Sequence, residues 1–393
     1  MKDKICQYKK KFILLALNYI YGMKNKIKIA ILSLLLYIPS YAQKMSLGSC
    51  VTRDGGQYQG EMVQGKPHGK GKCVYKNGDT YEGEYVKGKR QGYGTYIFYD
   101  GEKYEGEWFQ DQQHGRGTYY FMNNNKYVGL WFRDYQQGHG IMYYYNGDRY
   151  EGNWLQDKRN GKGKYTFASG AYYEGMWKDD KKNGQGFYDW GDGSTYEGQW
   201  LNNLRNGKGT FKYADGDYYT GGWANDVQNG KGIYKFQNGD IYEGDYVMGE
   251  RTGTGVFRYA NGDKYTGGFK DGDKSGEGTI VWKNGNTYTG SWSKDKPNGK
   301  GKLVMKAGDV YEGNFRNGQI DGEGIAHYSD GSKFKGTFVN GKRNGPAIEV
   351  EKDGKRFEGN YKDDKRDGKY VEKDRDGHVI SQGVYVNGRK RVN

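Results

Sequence analysis

Hydrophobic and polar positions alternate along most of this chain in short runs that return at a constant spacing. A triplet of an aromatic residue, any residue and glycine begins at Tyr58 and recurs every 23 residues through Tyr311, after which Phe334 and Phe357 continue it. The 14 copies follow one another without an insertion. A constant period of this kind indicates one structural unit that meets its neighbours in the same way at every step.

Each copy contains two runs whose pattern predicts a short β-strand. Residues 81–85 read aromatic, acidic, glycine, acidic, aromatic, which is the period of two expected of a strand with one buried face. Residues 71–75 alternate in the same way, and later copies place aromatics at the third and fifth positions of this second run, as in Tyr165 and Phe167. Every copy is therefore predicted to supply two strands.

Two positions in each copy accept almost only residues that tolerate a left-handed backbone. The first is a dipeptide such as Asn77-Gly78, and the second holds only Gly, Asp or Asn from Gly65 to Asp364. Such a restriction indicates tight hairpin turns. The sequence thus predicts an all-β fold, an elongated single-layer twisted antiparallel sheet of stacked β-hairpins with a 23-residue period.

The composition limits the kind of core that this sheet can have. Among 393 residues, 34% are hydrophobic and 28% are charged, while 68 are glycine and 40 are tyrosine. These values exclude a thick aliphatic core, and the 16% of aromatic residues argues against disorder. We expect the repeated glycine to leave a socket between two rings that a cross-strand aromatic fills, so that a ladder of rings replaces the core.

The two cysteines outside the leader provide a check on the strand order. Cys50 and Cys73 lie one repeat apart, so stacked hairpins would place them two strands apart, at about 9.6 Å. A disulfide bridges at most about 7 Å between Cα atoms. Both residues are therefore predicted to be free thiols.

The first 42 residues differ from the repeats in charge and in pattern. They contain eight Lys and one Asp, which is +7 of the net charge of +14. A basic segment from Met23, an apolar stretch at 29–38 and small residues up to Ala42 are typical of a secretory signal peptide. We predict a leader at 1–42, with Met23 as an alternative start, and a short linker at 43–47. The protein would then be exported to the periplasm, to the cell surface or into the medium. An uncleaved leader, or acylation of Cys50, would tether it to a membrane.

No cluster of residues suited to catalysis or metal binding emerges from the repeats. His68 and His114 share a position in the period but lie two repeats apart, and we interpret them as residues of surface turns. The Glu residues that follow the first aromatic of most copies are too widely spaced to act together, and are expected to pair with Lys such as Lys162 and Lys208. Gly-x-Gly pieces such as residues 161–163 are interpreted as turn glycines. We predict a non-enzymatic protein without a cofactor or a metal.

The residues of a single copy resemble a known family. Residues 150–154, Tyr-Glu-Gly-Asn-Trp, followed by Arg-Asn-Gly-Lys-Gly at 159–163, are similar to the MORN (membrane occupation and recognition nexus) repeat, and the resemblance covers about residues 48–370. It implies a scaffold or adaptor of stacked hairpins with roles in phospholipid contact or protein–protein assembly. Residues 371–393 depart from the pattern and are predicted to form a degenerate terminal repeat, or cap, with a basic tail.

The resemblance and the surface pattern point to one leading function and two alternatives. We expect a scaffold that binds a partner protein through its aromatic and charged sheet surface. The alternatives are peripheral binding to anionic phospholipid headgroups and binding to a cell-envelope glycan, and no nucleic acid is expected as a partner. The candidate contact aromatics are Trp108, Trp131, Trp154, Trp177, Trp200, Trp223, Tyr150, Tyr173 and Tyr196. The candidate contacts to an anionic surface are Arg389, Lys390 and Arg391.

Overall fold

A computed structural model describes residues 45–391 of the chain. The predicted leader, part of the linker and residues 392–393 lie outside the described residues. Within them the chain forms 31 β-strands and no helix, which confirms the predicted all-β fold. The chain divides between Tyr99 and Asp100 into two compact units, which we call the N-terminal unit and the C-terminal unit.

Each unit consists of antiparallel strands in which strands consecutive in the chain are paired. The N-terminal unit contains β1 (Ser46–Val51), β2 (Gln57–Val63), β3 (Lys66–Val74), β4 (Thr80–Val86) and β5 (Lys89–Ile97).

The C-terminal unit repeats the same pairing through β31. Its strands are β6 (Lys103–Phe109), β7 (Gln112–Tyr120), β8 (Lys126–Phe132), β9 (Tyr135–Tyr143), β10 (Arg149–Leu155), β11 (Lys158–Thr166), β12 (Tyr172–Lys178), β13 (Lys181–Asp189), β14 (Thr195–Leu201), β15 (Leu204–Lys212), β16 (Tyr218–Ala224), β17 (Val227–Lys235), β18 (Ile241–Val247), β19 (Glu250–Arg258), β20 (Lys264–Lys270), β21 (Asp273–Val281), β22 (Thr287–Ser293), β23 (Lys296–Val304), β24 (Val310–Arg316), β25 (Gln319–His327), β26 (Lys333–Val339), β27 (Lys342–Val350), β28 (Arg356–Lys362), β29 (Lys365–Lys373), β30 (Val379–Val386) and β31 (Arg389–Lys390).

Within a repeat, a short strand and a longer one are joined by a two-residue turn. Between β10 and β11 the turn residues Gln156 and Asp157 both have positive φ, 49° and 63°. This is the conformation that matches the twist of a two-residue hairpin, and it confirms the backbone requirement predicted at the Gly/Asp/Asn position. The first residue of the turn, which precedes the Gly/Asp/Asn position, was not predicted to have a left-handed backbone. Residues as different as Arg133 and Met248 occupy this first turn position, each with φ 52°.

The longer strand of one repeat is joined to the next repeat by a five-residue loop. In the loop after β9, the Tyr144 amide donates to the Asp148 carbonyl oxygen at 3.0 Å, and Gly147 has φ 91°. The Asp148 carboxylate reaches the following repeat, where it accepts hydrogen bonds from the Ala168 amide at 2.9 Å and the Tyr165 hydroxyl at 2.7 Å. Successive loops are therefore linked by side chains as well as by the sheet.

The centre of each of the 12 repeats that begin with tyrosine, from Tyr58 to Tyr311, is a buried tyrosine that lies across two paired glycines. Gly152 of β10 and Gly163 of β11 are register partners, and Tyr150 has no exposed surface. A Cβ atom at Gly152 would lie 2.4 Å from the Gly163 Cα atom. The tyrosine hydroxyl donates to the Asn153 carbonyl oxygen at 3.0 Å, which holds the ring along its own strand.

This geometry corrects the predicted filling of the glycine socket. The ring above the glycines comes from the strand that carries the first glycine, and not from an aromatic residue across the pair. The ring-to-ring ladder does exist, because Tyr150 meets Trp154 edge-on at 5.2 Å and Trp177 of the next repeat at 5.5 Å. Each buried tyrosine thus joins two repeats, and such pairs contribute about 0.5–1.5 kcal/mol beyond the area they bury.

The cysteines occupy the positions that the strand order predicts. Cys50 of β1 and Cys73 of β3 are both register partners of Tyr58 in β2, so that strand lies between them. Both are free cysteines, and Cys73 is buried.

The carboxyl-terminal strands depart from the regular unit, as their sequence predicts. The eight residues of β30 replace the usual seven, and the pairing of β29 with β30 shifts register between Glu372 and Lys373. At the positions where earlier repeats place rings, Glu349 and Glu372 bond to Arg366 at 2.7 and 3.3 Å. An ionic network therefore replaces the rings at the third position of the second run in this part of the sheet, while the ladder of buried rings continues to Tyr385.

Replacing Gly152 with Ala should destabilise the C-terminal unit by about 1–3 kcal/mol, because the added methyl group cannot fit between the Gly163 backbone and the Tyr150 ring. Chemical denaturation of the purified chain measures the change. Gly249→Asp is the matched control, since this turn position is open and other repeats carry Asp there. Equal stability of the Gly152→Ala variant and the unmodified chain would contradict the packing described.

Candidate interaction surface

The nine aromatic residues predicted to contact a partner are buried. The six tryptophans expose 4–6% of their surface, and Tyr150, Tyr173 and Tyr196 expose 0–1%. Their edges and faces are occupied by neighbouring rings and by the paired glycines. This burial assigns them to the core, and their direct contact with a partner stays a prediction that the geometry does not favour.

A second row of aromatic residues is only partly covered. The rings come from the third and fifth positions of the second run of each repeat, which the sequence marks but which we did not select as contact residues. Centroids lie 4.3–4.8 Å apart within a repeat and 5.2–6.1 Å apart between repeats. We call this row the aromatic ribbon, and it consists of Tyr144, Tyr165, Phe167, Tyr188, Trp190, Phe211, Tyr213, Tyr234, Phe236, Phe257 and Tyr259.

Most rings of the aromatic ribbon are half-buried, and only Phe211 and Phe257 are fully buried. The ribbon lies beside the buried ladder on the same face of the sheet, since Tyr165 is the register partner of Tyr150. It therefore forms the more exposed part of the face that carries the buried ladder. A continuous row of closely packed, mostly half-buried rings is a rigid apolar surface that needs little ordering when a partner binds.

Cations lie next to the ribbon and connect neighbouring repeats. The Arg159 guanidinium lies 4.4 Å from the Trp177 ring and 5.4 Å from the Tyr165 ring. Its Nε atom donates to the Asp180 carboxylate at 3.0 Å, and an Nη atom donates to the Asp180 carbonyl oxygen at 3.0 Å. Arg205 repeats the same contacts with the next Trp and Asp along the chain.

Lys182 occupies the same place without an acidic partner from the next repeat. Its Nζ atom lies 4.1 Å from the Trp200 ring and 4.6 Å from the Tyr188 ring, and the turn residue opposite is Asn203 instead of Asp. Burial of the ammonium lowers the pKa of Lys182 to about 8, the negative charge of Asp226 opposes this shift, and the positive charge of Arg205 adds to it. This lysine therefore loses its charge at a lower pH than an exposed lysine does.

The opposite face of the sheet carries the predicted rows of acidic residues, but their partners differ from those expected. Glu174 pairs with Lys164 at 3.6 Å and Glu312 pairs with Lys302 at 2.5 Å. Lys162 and Lys208 form no ion pair within residues 45–391. The reason is register, because Glu174 faces Lys164 directly across β11 and β12, whereas Lys162 faces a methionine.

Shallow grooves follow the glycine backbone on this charged face of the C-terminal unit. Two of them have volumes of about 1320 and 1220 Å³. Lys and Glu side chains line the larger groove in equal number, so it offers no net charge to an anionic ligand. The lining residues with a charge are Lys300, Lys302, Lys335, Glu277, Glu312 and Glu323.

Two interpretations of individual residues were wrong. His68 and His114 lie within β3 and β7 and not in surface turns, and residues 161–163 lie within β11. Gly161 nevertheless has φ 83°, because the pairing of β10 with β11 shifts register at this point. Among residues 45–391, no group of three His, Cys, Asp or Glu side chains could hold a metal ion. That part of the chain also has no helix that is both long and apolar enough to cross a membrane.

The basic tail is partly engaged with the sheet. Lys390 Nζ lies 2.7 Å from the Glu372 carboxylate, and the Arg391 amide donates to the Val384 carbonyl oxygen at 2.8 Å. Arg389 and Arg391 are exposed. Their contact with an anionic surface stays a prediction.

Comparison of the sequence with protein families gives a match along most of the chain. Fourteen consecutive 23-residue segments, together spanning residues 58–379, match the model of the MORN repeat. No protein of curated function matches the chain.

The solved structures that match the chain have low sequence identity and low TM-scores. The TCP domain of SAS-4 (dCPAP), in complex with a proline-rich motif of Ana2 (dSTIL) of Drosophila melanogaster, is 14% identical, with 59% of this chain and 99% of that chain covered and a TM-score of 0.23. The wild-type TCP10 domain of Danio rerio CPAP is 14% identical, with coverages of 62% and 99% and a TM-score of 0.18. A virginiamycin B lyase from Staphylococcus aureus is 11% identical, with coverages of 78% and 95% and a TM-score of 0.13.

Replacing Asn203 with Asp should give Lys182 the ion pair that Arg159 has with Asp180. The carboxylate should raise the pKa of Lys182 above about 8 and stabilise the folded chain at pH 7 by roughly 0.5–1 kcal/mol. In the unmodified chain the folded state holds the proton less tightly than the unfolded state, so the Lys182 contribution should increase as the pH rises from about 8 to 10.5. The substitution should flatten that rise.

Denaturation at several pH values, together with NMR titration of the lysine, measures both effects. Asp364→Asn is the matched control, because it removes the equivalent pair with Arg343 far along the chain from Lys182. Unchanged titration of Lys182 in the Asn203→Asp variant would show that the two side chains do not interact.

Proposed function

Since the chain belongs to the MORN-repeat family, we propose that it is a non-enzymatic scaffold that binds a partner protein through its sheet surface in an extracytoplasmic compartment. The aromatic ribbon is the observation that carries this proposal. It is an open row of partly exposed rings in a protein whose other repeated rings are buried.

The chemistry of the ribbon suits recognition of a protein. Tyrosine, tryptophan and arginine dominate the energetically important positions of protein interfaces, and Trp190, Tyr213 and Arg205 lie together here. The Trp190 ring packs against the Tyr188 ring with their centroids 4.3 Å apart, so its position is fixed before a partner binds. Binding would therefore require little loss of side-chain freedom.

Binding to anionic phospholipid is the first alternative. The basic tail and the net charge of +7 that remains outside the first 42 residues support it, because anionic headgroups attract such surfaces in a salt-dependent manner. The balanced Lys and Glu of the charged face and the pairing of Lys390 with Glu372 weaken it. Flotation of the chain with anionic liposomes at low and high salt separates this alternative from the scaffold, which requires no lipid.

Binding to an envelope glycan is the second alternative, since partly open rings such as Phe167 and Trp190 can stack on sugars. A pull-down on isolated envelope polysaccharide tests it. Phe167 and Trp190 are better probes than Trp154 and Trp177, because the latter two are buried and their loss would disturb the fold.

The compartment is proposed from the leader pattern alone, and the leader lies outside the described residues. Mapping the amino-terminal peptide of the mature protein tests this part of the proposal. A soluble product that begins at Met1 would remove it, while leaving the binding role of the repeats in place.

Replacing both Trp190 and Phe236 with Ser should abolish most partner capture, because it interrupts the aromatic ribbon in two places. Chemical crosslinking in the native compartment, followed by mass spectrometry, identifies the captured protein. Phe187→Ser is the matched control, since this ring lies in β13 beside Tyr172 on the opposite face. Equal capture by the unmodified chain and the double variant, with both folded by circular dichroism, would refute the role of the ribbon.

A further inference from the structure

The repeat that begins at Tyr127 places an apolar residue in the acidic row on the charged face of the sheet. Across β6 to β10 the register partners in this row are Glu105, Thr118, Val128, Ile141 and Glu151 in that order. Two apolar residues thus stand side by side between two acidic ones. Most other repeats place Glu where this one has valine, at Glu82, Glu105, Glu151, Glu174, Glu197, Glu243, Glu312 and Glu358.

Val128 and Ile141 belong to a larger patch of apolar side chains, most of them exposed. Val128, Leu130 and Phe132 alternate along β8 and point to the charged face, and Phe109 of β6 approaches them through His114, with ring centroids 5.5 and 5.3 Å apart. Val128, Leu130, Phe109 and Phe132 each expose between 38% and 47% of their surface. We call these four residues and Ile141 the apolar patch. Contiguous exposed apolar residues of this kind mark contact surfaces.

Two of the cations beside the apolar patch have an acidic partner, and the equivalent cation between them does not. Lys103 pairs with Glu105 at 2.7 Å and Arg149 pairs with Glu151 at 2.7 Å. Lys126 is the equivalent residue of the repeat between them, but Val128 stands where its acidic partner would be. Its ammonium lies 4.6 Å from the Tyr143 ring, and within residues 45–391 it has no ion pair.

The remaining charged groups near the apolar patch do not supply the missing carboxylate. Glu107 accepts a hydrogen bond from the Arg116 amide at 3.0 Å, and the Arg116 guanidinium forms no ion pair in the described part of the chain. His139 lies 4.0 Å from Glu151, which is already bound to Arg149. The Arg133 guanidinium lies 5.2 Å from the Phe132 ring and also forms no ion pair within residues 45–391. The surface therefore combines apolar side chains with several cations that form no ion pair, Lys126 and Arg116 among them.

We propose that the apolar patch, with Lys126 and Arg116, is a docking site for a segment of a partner protein in which apolar side chains alternate with carboxylates. The partner's apolar groups cover Val128, Leu130 and Phe132, and its carboxylates take the place that Glu occupies beside Lys103 and Arg149. This site lies on the face opposite the aromatic ribbon. It rests on the proposed scaffold function and adds the chemical class of a partner to it.

Charge complementarity favours this occupant over a membrane or a second copy of the chain. The unpaired cations here are fewer than the roughly four to eight clustered Lys or Arg residues that attract an anionic membrane, because Lys103 and Arg149 are already paired with Glu105 and Glu151. A second copy facing this site with the same patch would bring Lys126 and Arg116 against their own counterparts. Opposed like charges without counter-charges are unfavourable at an interface.

Photo-crosslinking tests the site in the full chain. A benzoylphenylalanine in place of Phe132 should crosslink a partner segment rich in apolar and acidic residues when the chain is expressed in its native compartment. Val128→Glu should reduce that adduct at least about tenfold, because it gives Lys126 an internal partner and places a charge within the patch. The variant should fold normally, since most other repeats carry Glu at this position.

Thr266→Glu is the matched control. It introduces the same charge on the same face, two residues after Lys264, far along the chain from the apolar patch. The adduct should persist in this control. Loss of the adduct in both variants, or its persistence in Val128→Glu, would overturn the proposal, as would an adduct to lipid or to a second copy of the chain.

A synthetic peptide that alternates leucine with aspartate provides a probe of defined chemistry. It should bind the purified chain in fluorescence anisotropy more tightly than a peptide that alternates leucine with lysine, and the difference should disappear in the Lys126→Glu variant. Equal binding of the two peptides would refute the charge selection. Capture through Trp190 and Phe236 without any adduct at position 132 would refute this site alone and leave the scaffold function standing.

Discussion

The structure depends on the close approach of two glycines beneath one tyrosine ring. A Cβ atom on Gly163 would lie 2.2 Å from the Tyr150 hydroxyl, and one on Gly152 would meet the opposite backbone. The ring can lie flat on the sheet only where both side chains are absent. That position places its edge against Trp154 of its own strand and Trp177 of the next repeat, which turns a single layer of strands into a continuous core.

The last two repeats show what happens to this constraint when the second glycine is absent. Where the second glycine is replaced by Ala347 or Tyr370, the ring above the pair is Phe334 or Phe357 instead of tyrosine. In most regular repeats the hydroxyl is the atom that a Cβ at the second glycine would meet first, so removing it makes room for a side chain there. The change from Tyr to Phe and the loss of the second glycine therefore have one physical cause.

Because the repeated Tyr and Trp rings are used within the core, the surface is formed by other residues. The partly open aromatic ribbon and the apolar patch are both made of positions whose residue type varies from repeat to repeat. The residues required for folding recur strictly, whereas the residues available for contact differ along the chain. A scaffold of this kind can present different surfaces at different repeats while it keeps one backbone.

The sequence alone determined the strands, the turns and their period, because an alternation of two and a left-handed backbone restrict which residues can stand at each position. Asp157 and Gly249 illustrate this, since the turn conformation admits few residue types. The sequence did not determine which aromatic residues are exposed. Trp154 and Trp190 have the same chemistry, and only the packing of neighbouring strands buries the first and leaves the second partly open. The pairing of Glu174 with Lys164 instead of Lys162 was likewise decided by the register between strands, which no local pattern specifies.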